Sequence, residues 1–170
     1  NTFAPRFVEY TGFEANSESP TKFSTPPELT TRITSFYTRN RSGFRKAVPV
    51  NNFYKLAGGG YLSTSADIAK LGQAYLDNRV LNESVLEQFL TSVRINGKST
   101  YYGLGWQVSE DKRGRPYYGH IGNGIGVYSN FFVYPNEKMV FAILINCTNP
   151  NVQQQLDEVV DALISVDEKI

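Results

Sequence analysis

The chain has 170 residues, 41% of them hydrophobic and 14% aromatic, with 17 basic residues against 16 acidic for a net charge of +1. That composition excludes a disordered chain, a collagen-like repeat and a disulfide scaffold. The charge balance gives no electrostatic footprint for nucleic acid or an anionic membrane, and one His with one Cys leaves too few ligands for a zinc site.

Residues 1–20 lack a basic segment followed by an apolar one, so no signal peptide is expected there. The longest strongly apolar run, Met139–Ile145, is far shorter than the ~20 residues that span a bilayer. No membrane span is expected in the chain.

Residues 1–55 form a loop-rich lead-in. Asn, Ser, Thr and Pro cluster over Asn16–Pro27. Thr30–Tyr37 and Phe44–Val50 have room for short strand or turn pieces. Residues 56–95 form a helical segment. Gly58-Gly59-Gly60 reads as a permissive turn. Thr64 followed by Asp67 matches a capping box with Asp at its second position. A helix is predicted over Ser65–Asp77, with Ile68, Leu71, Tyr75 and Leu76 on one face. Asn82 predicts the cap of a second helix over Glu83–Ser92, with Val85, Leu86, Phe89 and Leu90 inward.

Residues 96–149 read as antiparallel strands. Tyr102–Val108 is the first, Asp111–Pro116 a charged turn, and Tyr117–Ile121 the second. Val127, Ser129, Phe131 and Val133 alternate with Tyr128, Asn130, Phe132 and Tyr134 in a third. Met139–Asn146 is the fourth, and its unbroken apolar run predicts burial on both faces. Cys147 beside it is expected to be a buried small apolar residue. Residues 150–170 hold a last helix opened by Pro150, with an apolar stripe of Val152, Leu156, Val159, Val160, Leu163 and Ile164. The order predicts an α+β fold: an antiparallel sheet with the C-terminal helix on one face and a short helical segment before it.

The only histidine, His120, stands in Tyr118-Gly119-His120-Ile121-Gly122-Asn123-Gly124-Ile125-Gly126. The surrounding glycines strip side chains from a strand rim, which lets a ligand approach the backbone. A phosphate-cradling loop would need a helix leading out, and a strand pattern follows instead, so nucleotide binding is rejected. Ser19-Pro20-Thr21-Lys22 has the spacing of a lysine-activated serine. Such a pair needs a helix continuing after the serine, and Pro26-Pro27 oppose one. Tyr128-Ser129-Asn130 lies in an alternating strand and reads as ordinary strand residues. No Gly-x-Ser-x-Gly elbow and no carboxylate pair stands out.

Three segments carry a family resemblance. Leu56–Lys70 resembles the "GG-x-x-ST-x-x-D-x-A" stretch of serine hydrolases of the β-lactamase/penicillin-binding-protein superfamily. Tyr102-Gly103-Leu104-Gly105-Trp106 resembles their "YGLGW" strand, and Gly119-His120-Ile121-Gly122 their "GH-x-G" variant of Lys-Thr-Gly. The nearer types are class C β-lactamases, D-alanyl-D-alanine carboxypeptidases, esterases and β-lactamase-like mitochondrial proteins. The resemblance spans about Leu56–Asn146 in the right order, and residues 1–55 match only loosely.

The resemblance implies an acyl-serine hydrolase that uses no metal or redox cofactor. In such enzymes a Ser-x-x-Lys helix supplies the nucleophile and a Tyr-x-Asn loop the base, both upstream of "GG-x-x-ST". It implies that His120 lines the site in the Lys position and that Ile121 takes the Thr position without its hydroxyl. Gly122 and Gly124 keep the strand open, and the N–H of Asn123 is the second oxyanion donor. No credible Ser-x-x-Lys or Tyr-x-Asn precedes Leu56. The expectation is therefore the C-terminal portion of a larger hydrolase, inactive alone. Its sheet would be covered by the missing N-terminal part or by a second copy. The alternative is a binding or assembly module with a degenerate fold. A peptide or small-molecule substrate, and a secreted or periplasmic setting, are expected from the resemblance alone.

Overall fold

The computed structural model describes residues 33–50, 59 and 61–167. The Ser19–Lys22 motif, the Asn16–Pro27 loop and most of the Gly58–Gly60 turn lie outside these residues.

Two short hairpins and one larger sheet hold the strands. β1 (Tyr37–Asn40) pairs with β2 (Gly43–Lys46), and β3 (Arg94–Ile95) with β4 (Lys98–Ser99). The main sheet runs β5 (Gln107–Glu110), β6 (Pro116–Gly124), β7 (Val127–Tyr134) and β8 (Met139–Ile145), each antiparallel to its neighbour in sequence. Such a meander needs only short connections. Between β6 and β7 the turn is Ile125-Gly126. Gly126 sits at φ +80°, and a β-carbon there would press on Phe36 and Ala47, so only glycine fits.

The helices begin where the caps predict. α1 spans Ser65–Leu76, and Thr64 Oγ1 accepts from the Asp67 N–H at 3.1 Å while donating to the Asp67 carboxylate at 2.9 Å. α2 spans Glu83–Leu90, with the Asn82 side chain accepting from the Val85 N–H at 3.0 Å. α3 spans Gln153–Asp167.

Strand alternation divides the core into two layers. On one face, Phe132 and Tyr134 of β7 pack with Val160 and Ile164 of α3, and Tyr117, Ile121, Met139 and Phe141 close around them. On the other face, α1 lies across β7 and β8. Its Gly72 sits so close to Val140 and Phe131 that an added β-carbon would overlap the valine and lie 2.9 Å from the phenylalanine ring. Gly→Ala in a free helix stabilises by about 1 kcal/mol. Here overpacking reverses that sign, and Gly72→Ala is expected to lose about 1–2 kcal/mol. Urea unfolding followed by Trp106 fluorescence checks this, and a raised midpoint would refute the close packing of helix on sheet.

Three expectations change. The predicted strand Tyr102–Val108 starts only at Gln107. Before it the chain turns at Gly105 (φ +81°), and Gly103 is pressed against the carbonyl of Phe89 with no room for a side chain. β8 is not buried on both faces: its residues are half-buried and Leu144 is 41% exposed, because β8 is the last strand of the sheet. The α3 stripe is narrower than predicted. Val160 and Ile164 are buried, whereas Val159 and Leu163 stay about half exposed.

A charged cluster fastens the β5–β6 turn to α3. The half-buried Asp111 accepts from the backbone N–H groups of Arg113 and Arg115 and from Arg115 Nε at 2.7 Å. Arg113 and Arg115 both reach on to Asp161. Burial alone would raise the Asp111 pKa. The backbone and side-chain hydrogen bonds from Arg115, with that from Arg113, outweigh it and hold the carboxyl below the usual aspartate range. A depressed carboxylate stabilises the fold above its unfolded value, about 3.9, and loses that contribution as pH falls through the folded value. Stability is therefore expected to drop from about pH 4 downward, and Asp111→Asn to flatten that acid limb. Urea midpoints across a pH series check it, and parallel acid limbs in the two proteins would refute it.

Candidate active site

The period-two geometry of β6 decides which groups reach one place. Gly124↔Val127 closes a two-residue turn, so the even residues of β6 exchange backbone hydrogen bonds with β7. The odd residues then bond toward β5. The Asp111 N–H to Arg115 C=O bond at 3.0 Å and the Gln107↔Gly119 register agree with this. β5 pairs no further than Gly119. Beyond it the β6 edge is open, and the backbone groups of Ile121 and Asn123 point out of the sheet there. The Ile121 N–H is met by Gln107 Oε1 at 3.2 Å.

Side chains follow the opposite parity. His120, Gly122 and Gly124 lie on the α1 face, at the end of the sheet beyond Phe131. A depression of about 310 Å³ opens there, lined by His120, Gly122, Ser129 and Phe131 with Tyr61, Ile68 and Leu144 around them. Gly122 is required because Ser129 Oγ occupies the space of a β-carbon. None of the described residues lining the depression carries a formal charge at neutral pH.

Ile121 stands apart from this group. Its side chain packs toward Phe132 and Val160 on the α3 face, so only its backbone reaches the open edge. The Asn123 side chain also turns away, with Oδ1 accepting from the Asn149 N–H at 3.0 Å. His120, Gly122, Gly124 and the Asn123 backbone thus share one rim. Ile121 and the Asn123 side chain do not join it.

Both ring nitrogens of His120 are engaged. Nδ1 lies 2.7 Å from the carbonyl oxygen of Ile121, which only accepts, so Nδ1 carries a proton. Nε2 lies 2.9 Å from the Tyr102 hydroxyl, and the two rings meet edge-on at 90°. In the neutral ring the tyrosine O–H donates to Nε2. The residue before it, Tyr101, has φ +57°, which a bulky side chain adopts at a cost of about 1–2 kcal/mol. Its N–H bonds Ser99 Oγ and its carbonyl accepts from the Val108 N–H, both at 3.0 Å, which holds the turn. The sequence pattern did not single out Tyr102 as a partner of His120. The signal was faint: a tyrosine in the "YGLGW" segment, 18 residues from the histidine.

Beneath the site, Trp106 packs between Tyr75, Tyr118 and Phe131 with ring centroids 5.0–6.1 Å apart. Burial, with a contribution from Tyr75, pushes the Tyr118 hydroxyl up to about 12. Tyr118 is therefore not a base at neutral pH. Tyr128 and Asn130 both donate to Gln153 Oε1 of α3, on the far side of β7. That fits their reading as ordinary strand residues. Among the described residues no helix is long and apolar enough to cross a membrane, and no group of three or more His, Cys, Asp or Glu is placed to hold a metal.

An antiparallel meander sandwiched between a C-terminal helix and an earlier helix defines a β-lactamase/transpeptidase-like fold. Solved structures share it. D-amino acid amidase from Ochrobactrum anthropi, solved with D-phenylalanine, superposes with a TM-score of 0.61 at 20% identity, over 94% of this chain and 51% of that one. A penicillin-binding protein from Bacillus halodurans gives 0.58 at 21% identity, over 82% and 42%. A D-stereospecific amidohydrolase from Streptomyces gives 0.54 at 25% identity, over 68% and 35%. The family model described as beta-lactamase matches residues 19–165. The chain belongs to the beta-lactamase family. The serine beta-lactamase-like protein LACTB, mitochondrial, from Bos taurus is 32% identical over 129 residues, covering 60% of this chain and 23% of the relative. The Mus musculus counterpart matches equally. The chain thus spans about a quarter of the length of these relatives.

Proposed function

We propose that this chain supplies the His-x-Gly strand and the oxyanion side of an acyl-serine hydrolase site. The nucleophile and base stand on a preceding part of a longer protein. The observation that carries the reading is the open β6 edge beyond Gly119, with Asn123 N–H directed outward beside His120 and the side-chain-free Gly122 and Gly124. An acyl carbonyl laid along that edge receives one hydrogen bond from Asn123 N–H, and a donor of this kind is worth about 3 kcal/mol in the transition state. The named relatives support acyl chemistry: a penicillin-binding protein, an amidase and an amidohydrolase. The substrate class is a β-lactam, a D-alanyl peptide or an ester.

By this reading the chain alone is inactive, and another surface must cover its sheet. β8 ends the sheet, and between it, α1 and α3 runs an apolar trough that includes Ala69, Val140, Ala142 and Leu163. The same trough favours a second reading, a non-catalytic binding or assembly module. The gene upstream of residue 1 separates the two. A Ser-x-x-Lys followed by a Tyr-x-Asn, with covalent labelling of the longer protein by a serine-directed probe, supports the hydrolase. Their absence supports the module.

A further inference from the structure

We propose that Tyr102 is a positioning residue that fixes the tautomer and orientation of His120. The inference rests on the reading of His120 as a site residue. It adds a second side chain that no family motif assigns a role.

Three observations converge on the pair. The Tyr102 hydroxyl is 2.9 Å from Nε2, and Nδ1 is 2.7 Å from the Ile121 carbonyl, so the imidazole is held from both ends. The rings stand perpendicular, which leaves the imidazole no freedom to flip without losing both bonds. The strained Tyr101 backbone, held by Ser99 and Val108, turns the chain so that Tyr102 points at His120. Strain of this kind persists only where surrounding structure over-determines it, and it clusters at functional positions. Free imidazole exchanges between tautomers; a carbonyl at Nδ1 and a hydroxyl donor at Nε2 select the Nδ1–H form. The nitrogen turned toward the depression is then a hydrogen-bonded acceptor, and a proton arriving at Nε2 converts Tyr102 from donor to acceptor without moving either ring. Tyr102 itself is outside the depression lining and acts through His120.

The test uses the chain's single histidine, which gives the only imidazole signals in a two-bond ¹H–¹⁵N spectrum. The expected spectrum shows the Nδ1–H tautomer with the Nε2 resonance shifted by an accepted hydrogen bond. Tyr102→Phe removes only a hydroxyl from a residue 38% exposed, so the fold is retained. The Nε2 resonance is expected to move toward that of an unbonded lone pair. In the longer protein Tyr102→Phe is expected to lower kcat roughly tenfold with KM little changed, the size of one lost hydrogen bond. Tyr102→Phe on top of His120→Ala should add nothing. An Nε2–H tautomer in the wild type, or an Nε2 resonance unmoved by Tyr102→Phe, overturns the proposal even if His120→Ala abolishes activity. Conversely, a moved resonance with no effect of His120→Ala keeps the pairing and defeats the hydrolase reading.

Discussion

A fluorophosphonate or fluorescent penicillin is expected to leave the 170-residue chain unlabelled and to label the longer protein at one serine. The reason lies in what surrounds each serine of this chain. Acylation needs a hydroxyl with a base in hydrogen-bond reach. Ser129 is the serine that lines the depression beside His120, and it invites the suspicion of a Ser–His pair. That pair lacks a vacant nitrogen. Nδ1 is committed to the Ile121 carbonyl and Nε2 to the Tyr102 hydroxyl. The helices offer no lysine partner either. Ser65 of α1 is followed three residues on by Ile68, Ser84 of α2 by Glu87, and Ser165 of α3 by Glu168. A neutral serine without a base attacks at a rate far below that of the activated pair. The contrast between short and long chains is therefore expected to be all or none on a gel. Labelling of the isolated chain at Ser129 would end the claim that the nucleophile lies elsewhere. A longer protein carrying Ser-x-x-Lys that fails to label would end the hydrolase reading.

Much of the fold was legible because it is written in local chemistry. Thr64 and Asn82 announce the helix starts, since a short oxygen-bearing side chain before an apolar run satisfies orphan N–H groups. The alternation from Val127 to Tyr134 announces β7, and its two faces do separate toward α1 and α3. The rim glycines announce the open strand end. What escaped the sequence depends on tertiary position. The apolar run of β8 looks the same whether the strand is central or last, because periodicity is silent about neighbours. Tyr102 looks like a strand residue until Gly105 and the left-handed Tyr101 bend its segment toward His120. Ile121 differs from these, for strand parity alone separates it from His120. The family alignment placed it in the site, whereas the period of two sends its side chain to the α3 face.

The second large effect concerns His120 itself. His120→Ala in the longer protein is expected to lower kcat/KM by about 10²–10⁴-fold, the range of a positioned acid–base or polarising group. That corresponds to about 3–5 kcal/mol of transition-state stabilisation. The fold should hardly notice. His120 is an exposed residue whose ring makes hydrogen bonds only to Tyr102 and to its neighbouring carbonyl. Substitutions at such positions usually cost within about 0.5 kcal/mol. The two readouts thus separate by several kcal/mol, and this separation is the test. A structural histidine would show the reverse: a clear fall in melting temperature with turnover per folded molecule unchanged. Its neighbour gives an internal control. Ile121→Val trims a methylene from the α3-side core and is expected to cost about 0.5–1.5 kcal/mol of stability with kcat/KM retained. If His120→Ala and Ile121→Val instead moved activity alike, strand parity would not be what separates the site face of β6 from its core face.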